Sequence, residues 1–433
     1  MFSAGPNYLV RWVGRDAANF GLLLFERAVR LAVGQAVVTA FLARYLGPAD
    51  FGVFSFGLAT VALCGAIAGL GLDEVVIREL VRRPGTEHTE LLGSAALLKG
   101  MGAVVGMALS LATVIFLRPS HPLVWLVVGL LACGLLASPW DVLDWRFQAK
   151  STMGPPVAAR LGAFLSTAAL KLGLIFCGAS LPLLAAATAL EPILVAAAMV
   201  WVARREGVSL RLGGASWPWA RTLLAEGGPL LLSGLLVLVT MQLDKIIVVK
   251  IVGNQAGGYY SAATRISELF YAAPIAFGMA MIPPLARQRE IDRTLYWQQA
   301  RRLLGLAALA GILAAGLVSW RAQDLVRLLF GERFSAAAPL LSIHIWSICG
   351  IFIVSLRGRL LVLEKLGVWL PVLAGAAAAL SVGLNLLLVP RWGALGAAWA
   401  AVAAWGFSAL IAPWFFTPLR RVAREFFLSP ARP

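Results

Sequence analysis

Runs of about 20 apolar residues, the length an α-helix needs to cross a bilayer, recur from one end of this 433-residue chain to the other. Hydrocarbon offers no hydrogen bonds, so a spanning segment must satisfy its own backbone, which leaves helices or closed β-barrels. Barrel strands read as short segments of alternating polarity, and none are visible. The chain is therefore read as an all-α integral membrane protein. Its 60% hydrophobic and 13% charged content, with a mean hydropathy of +0.84, agrees. Twelve transmembrane helices fit, over roughly 20–45, 50–77, 91–117, 122–145, 156–177, 181–203, 223–250, 255–286, 296–319, 334–356, 366–389 and 393–419.

The stretch Ala43-Arg44-Tyr45-Leu46-Gly47-Pro48-Ala49-Asp50-Phe51-Gly52-Val53-Phe54-Ser55 ends one helix, turns at Gly-Pro and starts the next. A looser copy, Lys250-Ile251-Val252-Gly253-Asn254-Gln255-Ala256-Gly257-Gly258-Tyr259-Tyr260-Ser261, follows 206 positions later. Hairpins repeated at half the chain length predict two similar six-helix lobes around a central cavity. The expected division is an N-terminal lobe over 1–203, a cytoplasmic linker over 204–222 carrying Trp217 and Trp219, and a C-terminal lobe over 223–433.

The net charge of +16 is distributed by topology. With the N-terminus inside, the inner segments hold 24 Lys and Arg, from Arg11 and Arg15 through Arg211 to Arg432, and the outer segments hold seven. That bias orients the chain with both termini cytoplasmic. It leaves no role for nucleic acid, whereas attraction to anionic membrane lipid is an expected extra. The run after Arg11 and Arg15 has no small-residue cleavage site and reads as an uncleaved first helix.

Charges inside apolar spans are costly and normally face a partner or water. The first helix carries Glu26, Arg27 and Arg30 on one face, roughly 10–15 Å in from its start. The eighth carries Arg265 and Glu268, about 15 Å in from the outer end. The seventh carries Gln242, Asp244 and Lys245, while Lys99, Lys171 and Glu191 stand singly in helices three, five and six. Two readings stand. One is internal ion pairing, Glu26 with Arg30, Arg265 with Glu268, and Asp244 with a lysine elsewhere in the chain. The other is a cationic lining for an anionic substrate, since arginine's planar fork suits phosphate oxygens. Asp73, Glu74, Asp141 and Asp144, at inner helix ends, read mainly as structural. His344, alone among apolar neighbours, reads as a hydrogen-bonded packing residue. Cys64, Cys133, Cys177 and Cys349 lie in apolar stretches without ligand spacing. No P-loop, GxSxG motif or metal-ligand cluster is found, so neither a cofactor nor an enzymatic centre is expected.

The chain resembles the Wzx-type oligosaccharide flippases of the multidrug/oligosaccharidyl-lipid/polysaccharide exporter (MOP) superfamily. The residues that carry the likeness are "ARYLGPADFGVFSF" from Ala43, "GLDEVVIREL" from Gly71, "QLDKIIVVKIVGNQAGGYYSAATRISELF" from Gln242 and "LNLLLVPRWGALGAAWA" from Leu384. The resemblance implies translocation of an undecaprenyl-diphosphate-linked oligosaccharide across a bacterial cytoplasmic membrane, by alternating access, for surface polysaccharide synthesis. It implies a substrate site drawing on Arg27, Arg30, Arg265 and Glu268, with Asp244 and Lys245 in the helix-seven pattern; Lys99 joins these as a candidate from its depth alone. With no nucleotide site, the energy is expected from an ion gradient, with Na+ or H+ as coupling ion, or from the membrane potential, and a polysaccharide polymerase and a chain-length regulator are expected partners. A cation-coupled drug antiporter is the main rival, although it should favour acidic residues where arginines stand here. A lipid II flippase of peptidoglycan synthesis should carry two further helices. A glycan polymerase or acyltransferase should show a sizeable outer loop or a His/Asp/Glu centre.

Overall fold

A computed structural model describes Asn19 and residues 21–83, 88–207 and 214–427. Arg11, Arg15, Arg211 and Arg432 lie outside the described residues. Eleven helical stretches are long and apolar enough to cross a membrane. The first, Gly21–Arg82, has 62 residues. At 1.5 Å per residue it would run to about 90 Å, three times the hydrocarbon thickness. Gly47 interrupts it with φ 70° and ψ 173°. That conformation is essentially restricted to glycine, and it turns the stretch into two crossings, giving the twelve helices expected.

These are α1 (residues 21–46), α2 (48–82), α3 (His88–Leu117), α4 (Pro122–Ala149), α5 (Gly154–Phe176), α6 (Leu181–Arg205), α7 (Trp217–Ile251), α8 (Asn254–Ile291) and α9 (Arg293–Trp320). A short amphipathic α10 (Ala322–Phe330) follows, then α11 (Ala337–Leu363), α12 (Gly367–Trp392), α13 (Ala394–Phe415) and a terminal α14 (Thr417–Phe427). The outer connection expected over 320–333 is thus largely helical. Of the expected 204–222 linker, Arg204 and Arg205 finish α6, residues 217–222 begin α7, and 208–213 lie outside the described residues.

The chain forms two compact units, one of Met1–Tyr45 with Thr60–Gly234 and one of Leu46–Ala59 with Leu235–Pro433. The partition differs from a cut at mid-chain because two helices are shared. The first turns of α2, up to Ala59, belong to the second unit, and α7 up to Gly234 belongs to the first.

In the first unit α2, α3, α4 and α7 enclose Leu72, Val75, Val76, Leu91, Leu92, Val142, Trp145 and Leu223. Small residues face inward along α3 (Ala95, Gly102, Gly106, Ser110), while Leu97, Met101, Val105 and Leu109 point out at four-residue spacing. This arrangement suits lipid, where large apolar side chains gain nothing by leaving the surface and close backbone packing holds helices together. The second unit builds its core from α8, α9, α11, α12, α13 and α14 around Leu285, Tyr296, Ala300, Leu304, Leu356, Leu360, Leu373, Ala409 and Leu419.

Within the second unit the two copies of the repeat meet. Gly253, the counterpart of Gly47, also turns with ψ 173°, at φ 113°. Beyond the turns the backbones touch reciprocally. A Cβ on Gly52 would lie 1.9 Å from the Asn254 carbonyl oxygen, and one on Gly258 would lie 1.9 Å from the Pro48 carbonyl oxygen. Asn254 and Gly258 are the 206-residue counterparts of Pro48 and Gly52, so the contact repeats the sequence symmetry. Their neighbours Ser55 and Ser261, also 206 apart, are both buried with an unpartnered Oγ. Phe51 seals the junction against Phe330 at 6.3 Å and Phe334 at 5.8 Å, and Tyr259 meets Phe334 at 6.1 Å.

Candidate functional site

Each unit carries its own cluster of charged side chains. In the first, α1 loosens into a π-helix over Arg30–Val38. Such local widening shifts side chains around the axis and is frequent at functional positions. Arg30 stands at its first residue. Its guanidinium lies 3.3 Å (Nε) from Glu26 Oε1 and 2.9 Å (Nη1) from Glu191 Oε1, and it covers the Phe164 ring at 5.1 Å. Arg160 of α5 donates from Nε at 2.8 Å and Nη2 at 2.6 Å to the two oxygens of Glu26, a bidentate pair, and from Nη1 to Asp144. Lys171 closes the set, 3.6 Å from the second Glu191 oxygen.

Three acids (Glu26, Asp144, Glu191) thus balance three cations (Arg30, Arg160, Lys171) across α1, α4, α5 and α6. Such closure follows from the solvent, since removing one partner of a buried pair costs about 3–5 kcal/mol. Glu26 is buried, whereas the Arg30 side chain keeps 33% of its surface exposed. Arg27, next in sequence, is exposed and makes no ion pair with a described residue.

Lys99 is elsewhere in the first unit. Buried on α3, it reaches Asp141 Oδ2 at 2.7 Å and sits 4.8 Å over the Trp145 ring. The geometry does not bring it to Arg30.

The second unit gathers Asp244, Lys245, Arg265 and Glu268 into one network. Asp244 and Lys245 are adjacent, yet the helix points them apart. Asp244 accepts from the Tyr260 hydroxyl at 2.5 Å and from the Lys245 backbone N–H at 2.7 Å. The Lys245 ammonium donates to Gln242 Oε1 at 3.0 Å and to Glu268 Oε1 at 2.6 Å. Arg265 Nη1 lies 3.9 Å from the other Glu268 oxygen. Two acids again match two cations.

The expected pairs Glu26–Arg30 and Arg265–Glu268 are present, but no ion pair between Asp244 and a lysine elsewhere in the chain is found among the described residues; the Tyr260 hydroxyl and the Lys245 backbone N–H hold Asp244 instead. What sequence reasoning missed is that Arg160, Asp144, Lys171 and Glu191 complete the Arg30 cluster. One signal was available. Arg160 and Lys171 are eleven residues apart, three helical turns, and so share a face. His344, read as hydrogen-bonded packing, is buried beside the second network with Nδ1 unpartnered. Among the described residues no three His, Cys, Asp or Glu side chains are grouped so as to hold a metal ion.

A family model described as polysaccharide biosynthesis protein matches residues 30–288, more than half of the chain and a span that includes the second cluster and all of the first except Glu26. No curated protein matches the sequence. In fold the chain is similar to an inward-facing multidrug resistance MATE family transporter of the MOP superfamily, with TM-score 0.74 and 14% identity over 91% of this chain and 96% of that one. It is also similar to the lipid II flippase MurJ in an inward closed conformation (TM-score 0.70, 13% identity, 91% and 86% covered). A third similar structure is a MOP superfamily transporter from Pyrococcus furiosus whose binding pocket is described as having reverse polarity (TM-score 0.63, 14% identity, 95% and 96% covered).

Proposed function

This chain belongs to the polysaccharide biosynthesis protein family, and from that premise we propose that it is a flippase for undecaprenyl-diphosphate-linked oligosaccharide units, working by alternating access. The observation that carries the reading is the family match across 30–288, joined to arginines held deep in apolar helices. A diphosphate and its sugars lose their hydration in hydrocarbon, at a cost no bare bilayer repays. Arg30 and Arg265 supply planar donors that replace it. Both are held by carboxylates, so an arriving diphosphate exchanges one anionic partner for another, and the exchange avoids leaving a bare cation behind. In the first unit Arg30 is better placed than Arg160, because a third of its side chain stays exposed while Arg160 is committed to Glu26 and Asp144.

The reading places the chain in a bacterial cytoplasmic membrane with both termini inside, beside a polymerase and a chain-length regulator, and assigns it transport without catalysis. Arg30→Ala and Arg265→Ala should abolish surface glycan while membrane insertion is unchanged. Lysine at either position restores export in part if charge suffices, and fails if the fork is required. Normal glycan from both alanine variants removes these arginines from the substrate site. The second reading, a drug antiporter, draws on the similarity to the MATE family transporter. It is supported instead if deletion leaves glycan intact and sensitises cells to cationic drugs.

A further inference from the structure

Among the described residues of the second unit, His344 is a buried ionisable side chain that belongs to no ion pair. His344 is 5% exposed, and its Nδ1 has no hydrogen-bond partner. Its ring packs edge-on against Tyr260 at 5.9 Å, whose hydroxyl is bound to Asp244. The charged groups acting on it are Glu268 and Lys245, themselves in contact at 2.6 Å. The other elements packed on this part of α11 add no charge at its level. Ala394–Gly406 of α13 and residues 305–320 of α9 have no ionisable side chain, and α10 keeps Asp324 and Arg327 in exposed pairs with Arg321 and Glu332.

Two helices are also interrupted at this level. The first helical segment of α11 ends at His344 and helix resumes at Ser347, while α8 is broken at Tyr271. The two breaks are tied to each other. Tyr271 Oη and Ser347 Oγ share a hydrogen bond at 2.8 Å, and Ser347 Oγ lies 2.7 Å from the His344 carbonyl oxygen.

The charges around His344 already cancel, Asp244 and Glu268 against Lys245 and Arg265. A proton added here would leave one net positive charge in a buried site, where unpaired charge is costly. Histidine is nevertheless the side chain whose charge ordinarily changes between pH 5 and 8. Its state therefore depends on whether water reaches it.

We propose that His344 is the proton-binding site that couples this transporter to a proton gradient. Enclosed, the ring is neutral. When the junction near Gly258 parts and water enters, a proton from the aqueous phase bonds to the Nδ1 lone pair, and the imidazolium competes with Lys245 for Glu268. Lys245 is then free to meet an anionic phosphate group. Re-enclosure after the conformational change expels the proton to the opposite side. The proposal rests on the flippase reading for its cargo, but the proton site itself does not.

The chain has only three histidines, so His88→Gln and His121→Gln leave His344 as the single reporter. With 15N-labelled histidine in the purified full chain, ring nitrogen shifts should show the neutral form across pH 5–8. The same ring should take up a proton within that range when Gly258→Ala opens the junction, and Glu268→Gln should weaken that uptake at least tenfold. A ring that stays neutral in both proteins, or behaves identically in both, overturns the site. In cells, His344→Gln should lose surface glycan at normal membrane abundance. Normal glycan from His344→Gln, with loss from Arg30→Ala, overturns the coupling role. Normal glycan from His344→Gln, Arg30→Ala and Arg265→Ala alike overturns the flippase reading alone, and the ring titration still decides the proton site.

Discussion

Gly258→Ala tests the reciprocal contact between the two copies of the repeat. The added methyl would sit 1.9 Å from the Pro48 carbonyl oxygen, and ordinary contact begins at 3.4 Å, so the backbones must separate by about 1.5 Å. The obstacle is main chain on both sides and has no rotamer to relieve it. In an exposed helix the same change would stabilise by about 1 kcal/mol, because glycine is the poorer helix former. Forcing a methyl into packed structure typically costs about 1–3 kcal/mol, and here the overlap is with a fixed atom, which places the effect toward the upper end. Each 1.4 kcal/mol is tenfold in an equilibrium constant, so the open population should rise at least about tenfold. Ser261 is buried three residues away and offers a reporter. With Cys64, Cys133, Cys177 and Cys349 replaced by alanine and Ser261→Cys introduced, labelling by a membrane-impermeant maleimide at fixed pH should accelerate by that factor in Gly258→Ala. Gly52→Ala should do the same, because its methyl meets the Asn254 carbonyl at the same distance. Gly234→Ala, which meets nothing within 4 Å, is the control and should leave the rate unchanged. Equal labelling in all four proteins, or a higher melting temperature in Gly258→Ala, would refute the close approach.

Arg160→Met should destabilise the first unit by about 3–5 kcal/mol, seen as a lower melting temperature, since Glu26 and Asp144 lose their shared partner; adding Glu26→Gln should recover part of that loss. Gly47→Ala should cost about 1–3 kcal/mol through backbone strain alone, because nothing crowds its Cβ and only the φ of 70° opposes it. Phe334→Ala should loosen the junction by removing the ring shared by Phe51, Tyr259 and Phe330, at a cost of about 3–5 kcal/mol, read by the same thiol assay.

The twelve crossings were legible in the sequence because a bilayer allows few solutions. Length and hydropathy decide a span before any tertiary contact forms, and Gly47 and Gly253 mark turns that other residues cannot make. The repeat was equally plain, since it is a property of the order of residues. What the order could not show is which side chains meet. Glu26 and Arg30 are four apart on one helix and were visible as a pair, but the fork that binds Glu26 most closely comes from Arg160, 134 residues away. Lys245 and Glu268 meet only because the turn at Gly253 folds α8 back along α7. His344 read as an ordinary packing residue until α8 and α11 placed it, with Nδ1 unpartnered, beside a neutral network. Spanning is a local contest between side chain and solvent, which sequence records. Pairing of buried charge depends on distances between helices, and only the folded chain sets those.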